Sequence, residues 1–100
     1  MSQYRVYITP EALVDVKALP GNIRQRIRRT ITSLANQPYP SQSKQLQYTD
    51  PERQLFRIRL DNWGIVYAVT PAENVVDVLA VRKRPPYDYG DLTQLLDKLD

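Results

Sequence analysis

The 100-residue chain contains no cysteine and no histidine. Without cysteine it forms no disulfide and no thiolate metal site, which fits a reducing compartment. Without histidine it lacks the commonest metal ligand and the side chain most often used as a general base. Any catalysis falls to Lys, Arg, Tyr, Asp or Glu. Only three glycines are present, too few for a glycine-rich phosphate loop, and no Ser/His/Asp set can be assembled. No apolar run approaches the roughly 18 residues that span a bilayer. Met1-Ser2-Gln3-Tyr4-Arg5 lacks the apolar block of a signal peptide. The expectation is a cytoplasmic protein that uses no membrane, metal or cofactor.

What is present is the material of one small soluble domain, expected to span residues 1–100. At 42% hydrophobic the chain can fill a core, and 25% charged residues is ordinary for a soluble protein. The net charge of +3 hides an asymmetry. Residues 88–100 hold Asp88, Asp91, Asp97 and Asp100 against Lys98, a balance of −3, which leaves +6 on residues 1–87. A body of that sign suits an acidic partner such as nucleic acid or an acidic protein segment.

Hydrophobic periodicity lays out the elements. Tyr4, Val6 and Ile8 alternate with polar neighbours, predicting a strand at about 3–9. Thr9-Pro10-Glu11 reads as an N-cap with proline at the first helical position. Ala12, Leu13, Val16 and Leu19 give that helix its stripe, and Pro20-Gly21-Asn22 breaks it. Ile23, Ile27, Ile31 and Leu34 predict a second helix at about 22–36, making an αα-hairpin. A Pro/Ser-rich loop at 37–43 leads to an ambiguous strand at 44–48, and Asp50-Pro51-Glu52 reads as a turn. Strands follow at about 53–60, 63–70 and 75–81, the first two joined by Asp61-Asn62. Ile65-Val66-Tyr67-Ala68-Val69 is apolar on both faces, as a central strand should be. Leu92, Leu95, Leu96 and Leu99 suggest a short C-terminal helix. The order predicts an α+β fold: an N-terminal strand, an αα-hairpin packed on a small antiparallel sheet, and a short C-terminal helix.

Two basic groups stand out. Phe56-Arg57-Ile58-Arg59-Leu60 alternates with the strand period of two, so the apolar residues face the helices and Arg57 and Arg59 the other, free side. Arg82-Lys83-Arg84 ends a later strand and is followed by Pro85-Pro86-Tyr87. On adjacent strands, these groups would build one polyanion surface. Planar guanidinium forks match phosphate oxygens, and a tyrosine can orient a group, donate a proton or stack on a base. The same arginines also fit a solvated sheet face, Tyr87 a packing anchor and Lys44 a solvated loop. Arg24, Arg26, Arg28 and Arg29 spread around the second helix and read first as solubilising.

The element order and three motifs resemble the RelE/ParE superfamily of toxins of type II toxin–antitoxin systems. The motifs are Lys44-Gln45-Leu46; Phe56-Arg57-Ile58-Arg59-Leu60 followed by Trp63-Gly64-Ile65-Val66-Tyr67; and Val78-Leu79-Ala80-Val81-Arg82-Lys83-Arg84 closing on Tyr87. The resemblance covers about residues 3–89. RelE-branch members cleave mRNA in the ribosomal A site, ParE-branch members poison DNA gyrase, and both are neutralised by a cognate antitoxin that wraps the toxin. It therefore implies a ribosome-dependent mRNA endonuclease in a hetero-oligomer with its antitoxin. The alternatives are a gyrase inhibitor or a degenerate member that only binds its antitoxin. Arg57, Arg59, Arg84 and Tyr87 take the catalytic positions, with Tyr89 as the alternative tyrosine, and Lys44, Arg82 and Lys83 are expected to contact RNA. Two residues depart from the family pattern. Gly64 replaces an arginine that holds the scissile phosphate. Arg59 stands where some members carry a lysine base, and a guanidinium, with a pKa above roughly 12, is a poor base.

Overall fold

The computed structural model describes residues 3–47, 50–83, 92–97 and 99. The chain forms β1 (Arg5–Ile8), α1 (Pro10–Lys17), α2 (Gly21–Ser33), β2 (Ser43–Gln45), β3 (Gln54–Leu60), β4 (Trp63–Thr70), β5 (Val75–Lys83) and α3 (Leu92–Asp97), with a 3-10 turn at Pro71–Glu73. Thr9 begins α1 as its composition predicts: the Thr9 hydroxyl oxygen accepts the Ala12 amide at 3.2 Å, and Pro10 occupies the first turn. On α2, Ile23, Ile27 and Ile31, with Leu34 just beyond, are all buried. Each such side chain contributes roughly 1.5–3 kcal/mol by leaving water.

α1 departs from its predicted stripe. Ala12, Val16 and Leu19 are buried, but Leu13 is 40% exposed. The helix rests on β5 along a narrow strip, and part of that strip is polar. The Val81 amide donates to Asp15 Oδ2 at 3.0 Å.

The five strands lie in the order β1-β5-β4-β3-β2. The pairs β2–β3, β3–β4 and β4–β5 are antiparallel, whereas β1 joins β5 in parallel, with Arg5 opposite Val75 and Ile8 opposite Val78. The sheet is thus mixed. β4 is its central strand and is buried from Gly64 to Thr70, as its two-sided apolar run requires. The strand expected at 44–48 is shorter and earlier, and Tyr48 lies outside the described residues.

Each sheet face carries its own core. On the helical side, Phe56, Ile58, Ile65, Tyr67, Val69, Val76, Val78 and Val81 pack with the apolar stripes of α1 and α2. Leu60 and Trp63 lie against this cluster. On the other side, Leu55, Val66, Ala68, Leu79 and Ala80 pack with Leu95 and Leu96 of α3. That second face, expected to be free, is therefore covered at one end, because the C-terminal leucines need an apolar surface and find it there.

β5 contains an irregularity that decides which side chains share a face. Val66 pairs with Ala80 but Tyr67 pairs with Val78, so Leu79 is an extra residue, a β-bulge. Val76 and Val78 point to the helices, Leu79 and Ala80 both point away, and Val81 points back.

Candidate functional site

The alternation of β3 places Phe56 and Ile58 in the helix-side core and sends Arg57 and Arg59 to the opposite face. A register slip of one residue would bury both charges, so the apolar set fixes the arginines. β2 runs antiparallel along β3, with Lys44 opposite Arg57. Lys44, Arg57 and Arg59, together with Gln42, line a depression of about 250 Å³.

The loop before β2 is held by its own bonds. The fully buried Tyr67 donates its hydroxyl to the Pro38 carbonyl at 2.8 Å. Burial pushes this phenol up to about 12, so it stays protonated and works as a fixed donor. Tyr39 packs edge-on against Phe56, with ring centroids 5.2 Å apart, and donates to Gln54 Oε1 at 2.9 Å. The Ser43 amide and hydroxyl both donate to the Pro40 carbonyl, at 2.9 and 2.6 Å. These contacts set the position from which Gln42 and Lys44 enter the depression.

β4 lies between the two basic groups, which are not on adjacent strands as expected. Arg59 pairs with Gly64, and Gly64 pairs with Arg82. Neighbouring strands lie about 4.8 Å apart, so the Arg59 and Arg82 backbones are separated by about 10 Å. Gly64 offers no side chain between them. Two arginines can therefore approach one anion from either side of it, where the family pattern has a third arginine between.

The structure brings Lys44, Arg57, Arg59 and Arg82 to one face. It does not bring Lys83 there: Lys83 pairs with Trp63, which packs on the helix side. Arg84, Tyr87 and Tyr89 lie outside the described residues, as do Asp88, Asp91 and Asp100 of the acidic segment 88–100. Gln42 is a lining residue that sequence reading missed, since it sits in a loop whose only signal was its Pro and Ser content. Asp77 points to this side of the sheet too, but at the far end of β5, opposite Ala68. Burial raises its carboxyl, nearby Arg53 lowers it and Glu73 raises it again. Among the described residues no group of three or more His, Cys, Asp or Glu side chains is placed to hold a metal ion. No described helix is long and apolar enough to cross a membrane.

A mixed sheet with a helical hairpin on one face and a cationic depression on the other defines a small basic α+β protein. Residues 6–85 match the family model described as the ParE toxin of type II toxin–antitoxin system, parDE. The match spans most of the chain, and the chain belongs to that family. No curated protein sequence matches it. Among solved structures, the archaeal RelE–RelB complex from Pyrococcus horikoshii OT3 is similar with a TM-score of 0.76 at 24% identity, over 85% of this chain and 99% of that one. The RelBE2 toxin–antitoxin complex of Mycobacterium tuberculosis gives 0.69 at 23% identity, over 82% and 99%. A mutant of the Escherichia coli toxin RelE in the free state gives 0.68 at 17% identity, with both chains covered in full. At these identities the likeness establishes the fold.

Proposed function

We propose that this toxin cleaves mRNA on translating ribosomes and is held inactive by a cognate antitoxin. The observation that carries the reading is the convergence of Lys44, Arg57, Arg59 and Arg82 on one sheet face. Attack of a ribose 2′-oxygen on its neighbouring phosphate builds negative charge on the equatorial oxygens. Preorganised guanidinium groups answer that charge without reorganising at the moment of reaction. Ribosome dependence has a physical rationale here. A site made mostly of arginines holds phosphate well but positions a flexible single strand poorly, and a ribosome presents the strand already ordered. Partnership with an antitoxin is supported by the family, and by the similar RelE proteins seen with RelB in their own complexes.

The test is cleavage of a defined mRNA in purified ribosomes stalled with an empty A site. Discrete cuts that vanish in the Arg57→Ala/Arg59→Ala variant are expected. Intact mRNA at toxin concentrations that arrest growth would remove the reading.

A second reading, inhibition of DNA gyrase by binding, is favoured by the family description and by Gly64, which leaves the phosphate site one arginine short. Supercoiling by purified gyrase discriminates the two. The nuclease reading expects supercoiling to proceed unaffected.

A further inference from the structure

Resting on the nuclease reading, we infer that Lys44 is the general acid of the cleavage step. Four described side chains line the depression: Gln42, Lys44, Arg57 and Arg59. A side-chain amide is too weak an acid to protonate a leaving group, and a guanidinium, with a pKa above roughly 12, holds its proton more tightly than an ammonium. Among these described residues, Lys44 is the one whose proton is readily transferred. It stands opposite Arg57 across the β2–β3 pair, so its ammonium and the arginine forks address the same volume. β2 is an edge strand of three residues, and Lys44 is exposed, so its ammonium can exchange with solvent between turnovers.

The chemistry balances with these groups. The 2′-oxygen bonds to phosphorus and gives its proton to water. The bond from phosphorus to the 5′-oxygen breaks, leaving a 2′,3′-cyclic phosphate. The departing alkoxide is a far stronger base than an amine and takes a proton from Lys44 Nζ. The amine then regains a proton from solvent. Arg57 and Arg59 hold the equatorial oxygens throughout. Lys44 thereby differs in role from its neighbours, although all three are cations.

The experiment compares wild type, Lys44→Ala and Lys44→Arg on ribosome-bound RNA carrying either the natural 5′-oxygen or a bridging 5′-sulfur at the scissile position. A thiolate leaves without protonation, so that substrate needs no acid. On natural RNA both variants should lose about a hundredfold or more in single-turnover rate, the contribution typical of a positioned acid. Lys44→Arg keeps the charge and should not rescue. On the sulfur-bridged RNA both variants should approach the wild-type rate. Wild-type activity in Lys44→Arg on natural RNA would reduce Lys44 to a charge contact and overturn the assignment. So would a loss that persists on the sulfur-bridged substrate, or sulfur rescue of Tyr87→Phe with none for Lys44→Ala. A wild type that cuts neither substrate would overturn the nuclease reading and the assignment together. Because Lys44 is exposed, unchanged thermal melting in both variants is expected and ties the loss to chemistry.

Discussion

Arg57 and Arg59 sit two residues apart on one strand, so each reaches the same depression from its own backbone position. Neither substitutes for the other. Loss of one preorganised contact to transition-state charge costs roughly 3–4 kcal/mol. Arg57→Ala and Arg59→Ala are each expected to slow single-turnover mRNA cleavage by about a hundredfold or more and to relieve growth arrest. Arg57→Lys keeps the charge but loses the bidentate fork, and should fall between wild type and Arg57→Ala. A Lys variant as slow as the Ala variant would show that fork geometry, and not charge, sets the rate. Tyr67 supports the site from the other side of the sheet. Tyr67→Phe leaves the buried Pro38 carbonyl without its donor, at a cost of about 1–3 kcal/mol in denaturant melts. Its pH signature has a definite sign. The folded-state value of about 12 lies above the ordinary tyrosine value of about 10. The contribution is whole below pH 10 and is lost as pH rises toward 12, because only the unfolded chain ionises in that window. Comparing urea midpoints of wild type and Tyr67→Phe at pH 8 and pH 11 checks this, with the gap between them expected to narrow at pH 11.

Among the elements, α1 does unusual work for a helix of eight residues. β1 follows β5 only as far as Val78, so the next stretch of β5 has no strand on that side. The Val78 carbonyl is met by the Thr9 amide at 3.1 Å, and the Val81 amide by Asp15. α1 thus completes the edge that β1 leaves open, one residue before Arg82. Asp15→Ala should cost about 1–3 kcal/mol by orphaning that amide. Asp15→Asn retains an acceptor and should cost less. Hydrogen exchange at Val81 checks it directly, with faster exchange expected in Asp15→Ala than in Asp15→Asn. Much at this scale was readable beforehand. The isoleucine spacing of α2, the Thr9-Pro10 start of α1 and the alternation in β3 are local patterns, and each names its own face. The bulge was not readable. Without Leu79 as an extra residue, the parity of Val76 and Val78 would carry Arg82 to the helix side and Lys83 to the site. One inserted residue reverses that assignment, and no local propensity announces it. The strand order was equally hidden. It depends on which edge of β5 accepts β1, and nothing inside residues 3–9 specifies a partner some seventy residues away.

At the level of the whole molecule, charge and surface govern association. Four cations on one face predict salt-sensitive RNA binding. Each single-strand phosphate contact contributes about 0.7 to the slope of log affinity against log salt. Removing Arg82 alone should lower that slope by about 0.7 and weaken binding similarly across RNA sequences, measured by titration at several ionic strengths. An unchanged slope would place Arg82 outside the contact surface. A stable antitoxin complex should bury at least about 1,000 Å². Among the described residues, the exposed large apolar side chains are Tyr7, Leu13, Val14 and Tyr39. They are spread over β1, α1 and the loop before β2, so no single groove is evident. An antitoxin segment that covers both basic face and helix must therefore be extended, and hydrogen-exchange protection on complex formation should appear at more than one of these places.

The parallel pairing of β1 with β5 also has a consequence in time. Arg5 finds its partner in Val75, so the first strand made waits for the last strand of the sheet. At synthesis rates of about 5–20 residues per second, that wait is roughly 4–14 seconds. Until then β1 has no neighbour, the hairpin of α1 and α2 has no complete sheet to rest on, and Arg82 does not yet exist. Lys44, Arg57 and Arg59 are thus made well before the sheet that presents them is whole, and the four-cation face is complete only after β5 has joined β4 and β1.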